Sequence, residues 1–457
     1  MKIPENCSSA SVRAWCAAGS AGGRQLKRLV KVSQTFVAVA CVGVFFNAGV
    51  SSAAQNLCVN PSNTPHCYAT IQDAVDHAKS NAVMTVVAGT FHENVAINTG
   101  ASPKNLSLVI QGAGIGNTIV DGGALDSVFN VGPKATLTLS KMTIQHGERS
   151  GSQELGGGVR SLATKTTIEN CLVTDNSVPD GGGGGVGVEA GSLTISNSTL
   201  SDNSALGGGG GLFFATTTSK TATITNSTIS GNTGNEGAGI TVGALSKATI
   251  RNSTISGNIA TEDDGSPPIG GGIFVDGKAL TILDSTISGN LAQTGLANPS
   301  RGGGIYSLEA TVTLNNVTIA DNTASNGGGI YTIETEPGKS FSSSNSIIAD
   351  NTGALSAPDC AGDLDSSGYN LILETTGCTI SGKASTDILG MDPMLLPLTL
   401  NSPGLTETQA LQAGSPALKA GNPGTPNGKG GHCLPTDQRG VKRTTGKCDI
   451  GAFQLSS

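Results

Sequence analysis

Hydrophobic and polar residues alternate with a period of two in short runs along most of the chain. These runs are rich in Thr, Ile and Val and are separated by Gly, Asn and Asp. Successive side chains of a β-strand point to opposite faces, and β-branched residues favour strands, so the pattern predicts many short strands. The repeated segments lack the 3.6-residue spacing of a helix. The chain is therefore predicted to be all-β.

Two phrases recur along the sequence at intervals of 25 to 33 residues. The first ends in Asn and reads TTIENCLVTDN to Asn176, then LTISNSTLSDN, ATITNSTISGN, ATIRNSTISGN, LTILDSTISGN, VTLNNVTIADN and FSSSNSIIADN to Asn351. The second is a glycine turn followed by a short strand, from GGGVRS at Gly156 to GGGIYT at Gly327. A fixed period of this length indicates one stacked structural unit.

The composition and the length of the repeated unit distinguish between the known repeat folds. Leucine-rich repeats need a leucine framework, and propeller blades are longer, at about 40 residues or more. A parallel β-helix of about ten coils fits best, with equivalent residues stacked about 4.8 Å apart.

Stacking predicts two internal columns. The aliphatic one is Val159, Val186, Leu212, Ile240, Ile273, Ile305 and Ile330. The polar one, six residues before each terminal Asn, is expected to be an inward ladder of hydrogen-bonded amides, because buried amides seek partners. It comprises Asn170, Asn197, Asn226, Asn252, Asp284, Asn316 and Asn345. This explains the recurring Asn-Ser-Thr better than glycosylation does.

The amino-terminal part contains an export signal and a helix. Residues 1–54 carry six basic residues, an uncharged run over 36–46 and then small residues, which predicts a cleaved signal peptide. An uncleaved anchor and a lipoprotein cut at Cys41 are the alternatives. The mature chain is expected to have no membrane span and to be secreted, either free outside the cell or at a cell surface. Residues 70–79 have one apolar helical face and predict a helix capping the first coil.

Seven of the ten cysteines follow the signal peptide, and six of them form three close pairs. Export permits disulfides, and we expect Cys58–Cys67, Cys360–Cys378 and Cys433–Cys448, although spacing alone does not fix the connectivity. Cys171 is left over and is expected to be a buried thiol.

Net charge and composition exclude some functions. The chain has 26 basic and 33 acidic residues, a formal charge of −7, so no basic field for nucleic acid is present. The five histidines fall in different coils or end segments and indicate no shared metal site.

Loops before the glycine turns contain the candidate catalytic residues. These are Glu236, Asp263, Asp264 and Arg301, with Asp180 and Glu262 nearby in the repeat. Loops leaving the same edge of successive coils bring such groups together, where carboxylates can hold Ca²⁺ or share a proton. The alternative, a solvated acidic loop, is the more common situation. No catalytic residue is assigned, and no cofactor is expected apart from Ca²⁺ if the protein is an enzyme.

An outward aromatic column is the candidate ligand-binding surface. It consists of Phe213, Phe274, Tyr306 and Tyr331, each one residue after an inward aliphatic position. Stacked rings on an exposed face bind sugar rings or a partner protein. The alternative is that a neighbouring loop, over residues 291–301, covers them.

Three groups of motifs carry a family resemblance. CYATIQDAVDHA and VVAGTFHENVAI resemble the opening of pectin-lyase-like right-handed β-helix proteins, and the GGGI and ISGN phrases are similar to polymorphic outer-membrane protein repeats. APDCAGDLDSSGYNLI, GCTISG, AGSPALKAG, DQRGVKR and CDIGAF resemble the choice-of-anchor Q domain of bacterial surface proteins. The resemblance implies a right-handed parallel β-helix over 55–392 and a disulfide-pinned module over 393–457 packed on its end.

These observations favour a non-catalytic, secreted or surface-associated protein that is adhesive or binds an extracellular polysaccharide or a cell-surface protein. The alternative function is a polysaccharide lyase or glycoside hydrolase acting on uronic-acid polymers. The familiar polygalacturonase motifs are not found in the sequence.

Overall fold

The computed structural model describes residues 54–62, 65–151, 154–263, 265–293 and 298–455. Residues 1–53 of the expected signal peptide lie outside this part of the chain, and so does Asp264. The described residues belong to one compact unit.

The chain forms short strands in the order expected for repeated coils. The first half contains β1 (Asn56–Val59), α1 (Ile71–Asp76), β2 (Ala82–Val86), β3 (Gly89–His92), β4 (Val95–Ile97), β5 (Leu106–Gln111), β6 (Thr118–Asp121), β7 (Phe129–Val131), β8 (Ala135–Ser140), β9 (Thr143–Gln145), β10 (Val159–Ser161), β11 (Lys165–Glu169), β12 (Leu172–Thr174), β13 (Ser177–Val178), β14 (Val186–Val188), β15 (Ser192–Ser196), β16 (Thr199–Ser201), β17 (Ser204–Ala205), β18 (Leu212–Phe214), β19 (Thr221–Thr225), β20 (Thr228–Ser230) and β21 (Thr233–Gly234). The second half contains β22 (Ile240–Val242), β23 (Lys247–Arg251), β24 (Thr254–Ser256), β25 (Ile259–Ala260), β26 (Ile273–Val275), β27 (Ala279–Ser288), β28 (Leu291–Ala292), β29 (Ile305–Leu308), β30 (Thr311–Ala320), β31 (Thr323–Asn326), β32 (Ile330–Ile333), β33 (Ser340–Ser344), β34 (Ile347–Ala349), β35 (Thr352–Ser356), β36 (Cys360–Gly368), β37 (Leu371–Ile372), β38 (Cys378–Gly382), a 3₁₀ turn (Ala384–Thr386) and β39 (Ile388–Leu389).

One coil shows how the repeat folds. After the glycine turn, β18 runs along what we call the glycine-face sheet, β19 follows, and the chain bends at Asn226 into β20 and then β21. Every strand pairs in parallel with its equivalent one coil away. In the glycine-face sheet, ten strands stack in the order β4, β7, β10, β14, β18, β22, β26, β29, β32 and β36. The predicted parallel β-helix of about ten coils is confirmed.

The aliphatic column forms as the spacing predicts. Val159, Val186, Leu212, Ile240, Ile273, Ile305 and Ile330 pair in direct register and are all buried. Burial of such side chains contributes roughly 1.5 to 3 kcal/mol each, so this column is a main source of stability.

The polar ladder inside the stack is formed by different asparagines from those predicted. The buried ladder consists of the asparagines that end each repeat phrase, which we call the ladder asparagines: Asn176, Asn203, Asn232, Asn258, Asn290, Asn322 and Asn351. In each case Nδ2 donates to Oδ1 of the next at 2.9 to 3.0 Å. The last amide donates to the carboxylate of Asp359 at 2.9 Å. Each amide thus satisfies its neighbour away from water.

The residues predicted to form that ladder occupy an outer bend, which is a correction of the sequence analysis. They all have positive φ, between 42° and 54°, and the set is Asn170, Asn197, Asn226, Asn252, Asp284, Asn316 and Asn345. Asn recurs there because Asn and Asp tolerate the left-handed conformation better than other residues with a Cβ. Asn197 is exposed. Asn226 Nδ2 donates to Asn197 Oδ1 at 3.3 Å, a longer bond than those between the ladder asparagines.

The amino-terminal helix is shorter than predicted. Only Ile71–Asp76 is helical, with the Thr70 hydroxyl accepting from the Asp73 amide at 3.1 Å. The helix ends early because the Lys79 amide bonds to Gln55 Oε1 and the chain then enters β2. The ten-residue capping helix expected over 70–79 is therefore not formed.

The carboxyl-terminal segment after β39 runs beside the coils, and not on the end of the stack as predicted. Its Thr406 bonds to the Asn252 carbonyl, and its Ala452 amide donates to the Thr318 hydroxyl. An apolar cluster that includes Leu411 and Ile450 packs against Ile347. We call residues 393–455 the strap, because they cross the outer bends of several coils.

The cysteines behave as expected. Disulfides join Cys58 to Cys67, Cys360 to Cys378 and Cys433 to Cys448. Cys171 is a free, buried thiol, and burial raises its pKa to about 12. Among the residues that the structure describes, none of the helices has the length and apolarity to cross a bilayer.

We expect Asn232→Ala to lower the free energy of unfolding by about 3 kcal/mol or more. The change removes Asn232 Oδ1, which accepts from both the backbone and the side-chain amide of Asn203, and the three bonds that Asn232 Nδ2 donates, each unsatisfied group costing roughly 1 to 3 kcal/mol. Denaturant titration followed by circular dichroism measures the effect. The matched control is Asn226→Gly on the same coil, which keeps the bend conformation and should change the value by less than about 1 kcal/mol. Equal effects would contradict the assignment of the ladder.

We expect Asp359 to make stability depend on pH. Burial raises its pKa to about 6 although it accepts hydrogen bonds from Asn351 and from the Glu374 amide. The unfolded carboxyl titrates near 3.8. Its contribution is therefore fully present below about pH 4 and is lost as the pH rises through 6, by roughly 3 kcal/mol at one pKa unit per about 1.4 kcal/mol. The free energy of unfolding of the wild type and of Asp359→Asn, measured from pH 4 to 7, should fall less in the variant, which lacks the titrating carboxyl. A steeper fall in the variant would refute this account.

Candidate functional site

A row of residues just before the glycine turns lies against the outward side of the glycine-face sheet. We call it the covering row: Leu155, Gly182, Gly208, Glu236, Ile269, Arg301 and Asn326. Its members pair with one another from coil to coil through single β-bridges and backbone hydrogen bonds. A Cβ built on Gly182 would lie 2.8 Å from the Phe213 ring, which shows how closely the row approaches the outward residues.

The covering row buries most of the aromatic column that the sequence places on an open face. Phe274 and Tyr306 are only 6% and 5% exposed. The rings of Tyr306 and Tyr331 stack with centroids 5.4 Å apart, and Phe274 lies 5.6 Å from Tyr306. Arg301 lies over the Tyr331 ring, 5.6 Å from its centroid. A continuous exposed binding surface is therefore not present at these positions, because residues of the preceding loops cover the rings.

Glycine in the covering row leaves a gap beside Phe213. The chain has five consecutive glycines at 181–185 and again at 207–211, where other coils have fewer. Gly182 faces the Phe213 ring and Gly208 faces Thr241, both without a side chain, and a pocket of about 500 Å³ lined by the two glycines and Phe213 opens there. Leu155 closes one side of this pocket. A partly exposed aromatic ring thus becomes the apolar wall of a concave site.

Three carboxylates line the same pocket. Asp180, Glu236 and Asp263 come from three loops within four successive coils, and the loop between those of Asp180 and Glu236 contributes Gly207 and Gly208. The loop carrying Asp263 is fixed by a turn in which the Ser266 amide donates to the Asp263 carbonyl at 2.7 Å. Asn235 holds this loop from the preceding coil by donating to the Thr261 carbonyl at 2.8 Å. These bonds set the position of the Asp263 loop beside the pocket.

The structure therefore separates the candidates that the sequence grouped. Glu236, Asp263 and Phe213 meet in one pocket, whereas Arg301 lies farther along the covering row, over Tyr331. Sequence reasoning missed the glycines and Asn235. The available signal was the length of the two glycine runs, which exceeds what a turn needs.

Burial changes the acidity of the pocket. It is the main reason that the pKa of Glu236 lies above its ordinary range, and the negative charge of Asp276 adds to the effect. Burial also raises the pKa of Asp276, which follows Phe274 by two positions along the same side of the strand. Asp276 Oδ1 is buried without a hydrogen-bond partner among the described residues.

The pocket combines an aromatic ring with hydrogen-bond acceptors, which is an arrangement suited to an uncharged polyhydroxylated ligand. Ring faces pack against apolar C–H surfaces, and carboxylates accept hydrogen bonds from hydroxyl groups. Over the described ranges, no group of three or more His, Cys, Asp or Glu is arranged to hold a metal ion.

We expect Asp276→Asn to lower the pKa of Glu236 towards its ordinary range. The change removes a nearby negative charge but leaves the larger effect of burial, so the pKa should stay above the ordinary value. Carboxyl-carbon NMR titration measures this directly. Asp180→Asn, which changes another pocket carboxylate that does not contribute to the shift, is the control and should leave the Glu236 pKa in place. An unchanged pKa in Asp276→Asn would disprove the coupling.

Comparison with known proteins gives three results. No curated protein matches the sequence. A solved structure described as pectate lyase Pel9A superposes with a TM-score of 0.47 at 13% identity, covering 89% of this chain and 97% of that one. The family model described as "Right handed beta helix region" matches residues 114–290 and 185–389, which together make up more than half of the chain. The chain belongs to this family of right-handed β-helix proteins.

Proposed function

We propose that the protein is a non-catalytic binding protein that holds a neutral glycan in the pocket beside Phe213. The observation that carries this proposal is the absence of side chains at Gly182, which faces the Phe213 ring, and at Gly208 beside it in the covering row, so that Phe213 lines a pocket. The ring and three carboxylates line a space of about 500 Å³, large enough for a sugar unit.

The charge of the pocket selects among glycans. Asp180, Glu236 and Asp263 contribute only acidic side chains, and no basic residue lines the pocket. Like charges close together in a partly buried site repel, so a polymer of uronic acids is a poor ligand. Neutral hexose or N-acetylhexosamine units avoid this repulsion and supply hydroxyl donors to the carboxylates.

The same proposal includes an extracellular location and an adhesive role, with a cell-surface glycan or glycoprotein as partner. The three disulfides support export, because such bonds persist in oxidising compartments. The resemblance of the carboxyl-terminal motifs to the choice-of-anchor Q domain, and of the repeats to polymorphic outer-membrane proteins, fits that setting. The short helix Ile71–Asp76 buries Ile71 and Val75 beside the first strands, which fits a limited role in covering the amino-terminal edge.

We expect the purified protein to bind neutral glycans on an array and not polygalacturonate. Phe213→Ala should weaken the binding at least tenfold, because it removes the stacking surface while leaving the fold in place. The control is Tyr331→Ala, which truncates a partly exposed ring of the same column outside the pocket and should keep wild-type affinity. Equal loss in both variants, or binding to polygalacturonate alone, would overturn the proposal.

A second candidate function, a glycoside hydrolase, is favoured by one observation. The pKa of Glu236 is raised and two other carboxylates share its pocket, as the acid and its partner do in many glycosidases. Incubation with the glycans that bind, and with polygalacturonate plus Ca²⁺ as the lyase test, distinguishes the two. New reducing ends that disappear in Glu236→Gln would assign hydrolysis, and unsaturated ends would assign lyase activity.

A further inference from the structure

Side chains at the outer bends and on a neighbouring strand bind the strap. The same residue types recur on coils that the strap does not cover. On the coils it covers, two bend asparagines and two nearby threonines bond to strap backbone, whereas Asp284 forms an ion pair with Arg443 of the strap. Asn316 Oδ1 accepts from the Leu434 amide at 2.9 Å, and Asn345 Nδ2 donates to the Gly431 carbonyl at 3.0 Å. These side chains recognise main-chain groups, a form of recognition that does not depend on the sequence of the bound segment.

A threonine column also bonds to the strap, at backbone groups for Thr254 and Thr318 and at the Gln438 side chain for Thr286. Thr254 donates to the Glu407 carbonyl at 2.6 Å, Thr286 donates to Gln438 Oε1 at 2.7 Å, and Thr318 accepts from the Ala452 amide at 3.0 Å. Strand register continues this column directly to Thr228 and then Thr199. Both lower threonines are partly exposed and line an open groove.

The bend column continues into the same groove. Asn170, Asn197 and Asn226 have the backbone conformation of the covered bend residues and line a space of about 460 Å³ with the two threonines. A turn of the strap lies beside it, and Leu405 in that turn is 68% exposed. The coils below the strap thus present the same amides and hydroxyls that bind the strap above, and the side chains lining the groove are uncharged.

We propose that this groove, which we call the bend groove, binds an extended polypeptide segment of a partner protein through its backbone. The segment continues the path of the strap, with an apolar side chain against Leu405. Three coils about 4.8 Å apart span roughly 10 Å, which accommodates about three or four extended residues. Two observations favour a peptide as the ligand. The groove continues an existing interface between side chains and backbone, and its described lining residues carry no charge that would select an ionic ligand.

The experiment selects peptides from a random heptapeptide phage library on the purified full chain and measures their affinities by fluorescence anisotropy. We expect enriched peptides with an apolar residue and no charge at the central positions. The variant Thr199→Val with Thr228→Val is nearly isosteric and removes both hydroxyls, and it should weaken binding at least tenfold. The matched control, Thr194→Val with Thr223→Val, changes two threonines of the same coils outside the groove and should bind like wild type.

Two further measurements separate the outcomes. A selected peptide N-methylated at its central amides should lose affinity, because the proposed contacts are to the backbone, and Leu405→Asp should weaken binding without touching the coils. Failure to enrich peptides, or peptides that bind wild type and the threonine variant equally, overturns the proposal. A glycan whose binding is lost in that variant assigns the groove to carbohydrate, and a dimer lost in it assigns the groove to a second copy. Either result also overturns it.

Discussion

Direct stacking of equivalent residues in register is the constraint on which the whole structure depends. Parallel pairing places each side chain on its counterpart one coil away. The same kind of residue is therefore required at the equivalent position of each coil, and its interactions are repeated along the stack. The ladder asparagines show why this register is strict. From Asn176 to Asn322, each side chain bonds both to the next asparagine and to a backbone carbonyl of the preceding coil, and Asn232 also bonds to the Ser230 carbonyl of its own coil. A shift of one residue would leave these amides unpaired inside an apolar stack.

The fold was largely predictable because period and alternation report geometry directly. The phrases ending at Asn176 and Asn203 differ in detail but have the same spacing of Ile or Val, which specifies the inward column regardless of which aliphatic residue fills it. The disulfides followed from proximity in sequence. The strap could not be predicted, because its contacts join residues about 150 positions apart that share no period, such as Thr254 and Glu407.

The ladder assignment shows where periodicity stops being informative. Two asparagine columns have the same period, and Asn is favoured at each for a different physical reason. At Asn226 the reason is backbone conformation, since its φ is 49°, and at Asn232 it is burial of an amide that must be satisfied. The repeat period cannot distinguish the two columns, because an asparagine of each column occurs once per coil. The residue before the ladder asparagine offers a local indication, since Gly or Asp with positive φ precedes Asn203, Asn232 and Asn258 and turns the chain inward there.

The candidate sites arise where a column is interrupted, not where it is most regular. In an uninterrupted column the polar groups are already hydrogen-bonded and the apolar surface is already covered. Few groups therefore remain available to bind a ligand. The pocket exists because Gly182 and Gly208 lack the side chains that Ile269 and Arg301 provide elsewhere in the row, which leaves Phe213 partly exposed without disturbing the glycine-face sheet. The bend groove exists because the strap turns near Leu405, whereas the columns of bend residues and threonines continue. In a solenoid of this kind, binding sites can therefore change by substitutions in one row or by the length of one crossing segment, and the buried ladder that maintains the register remains intact.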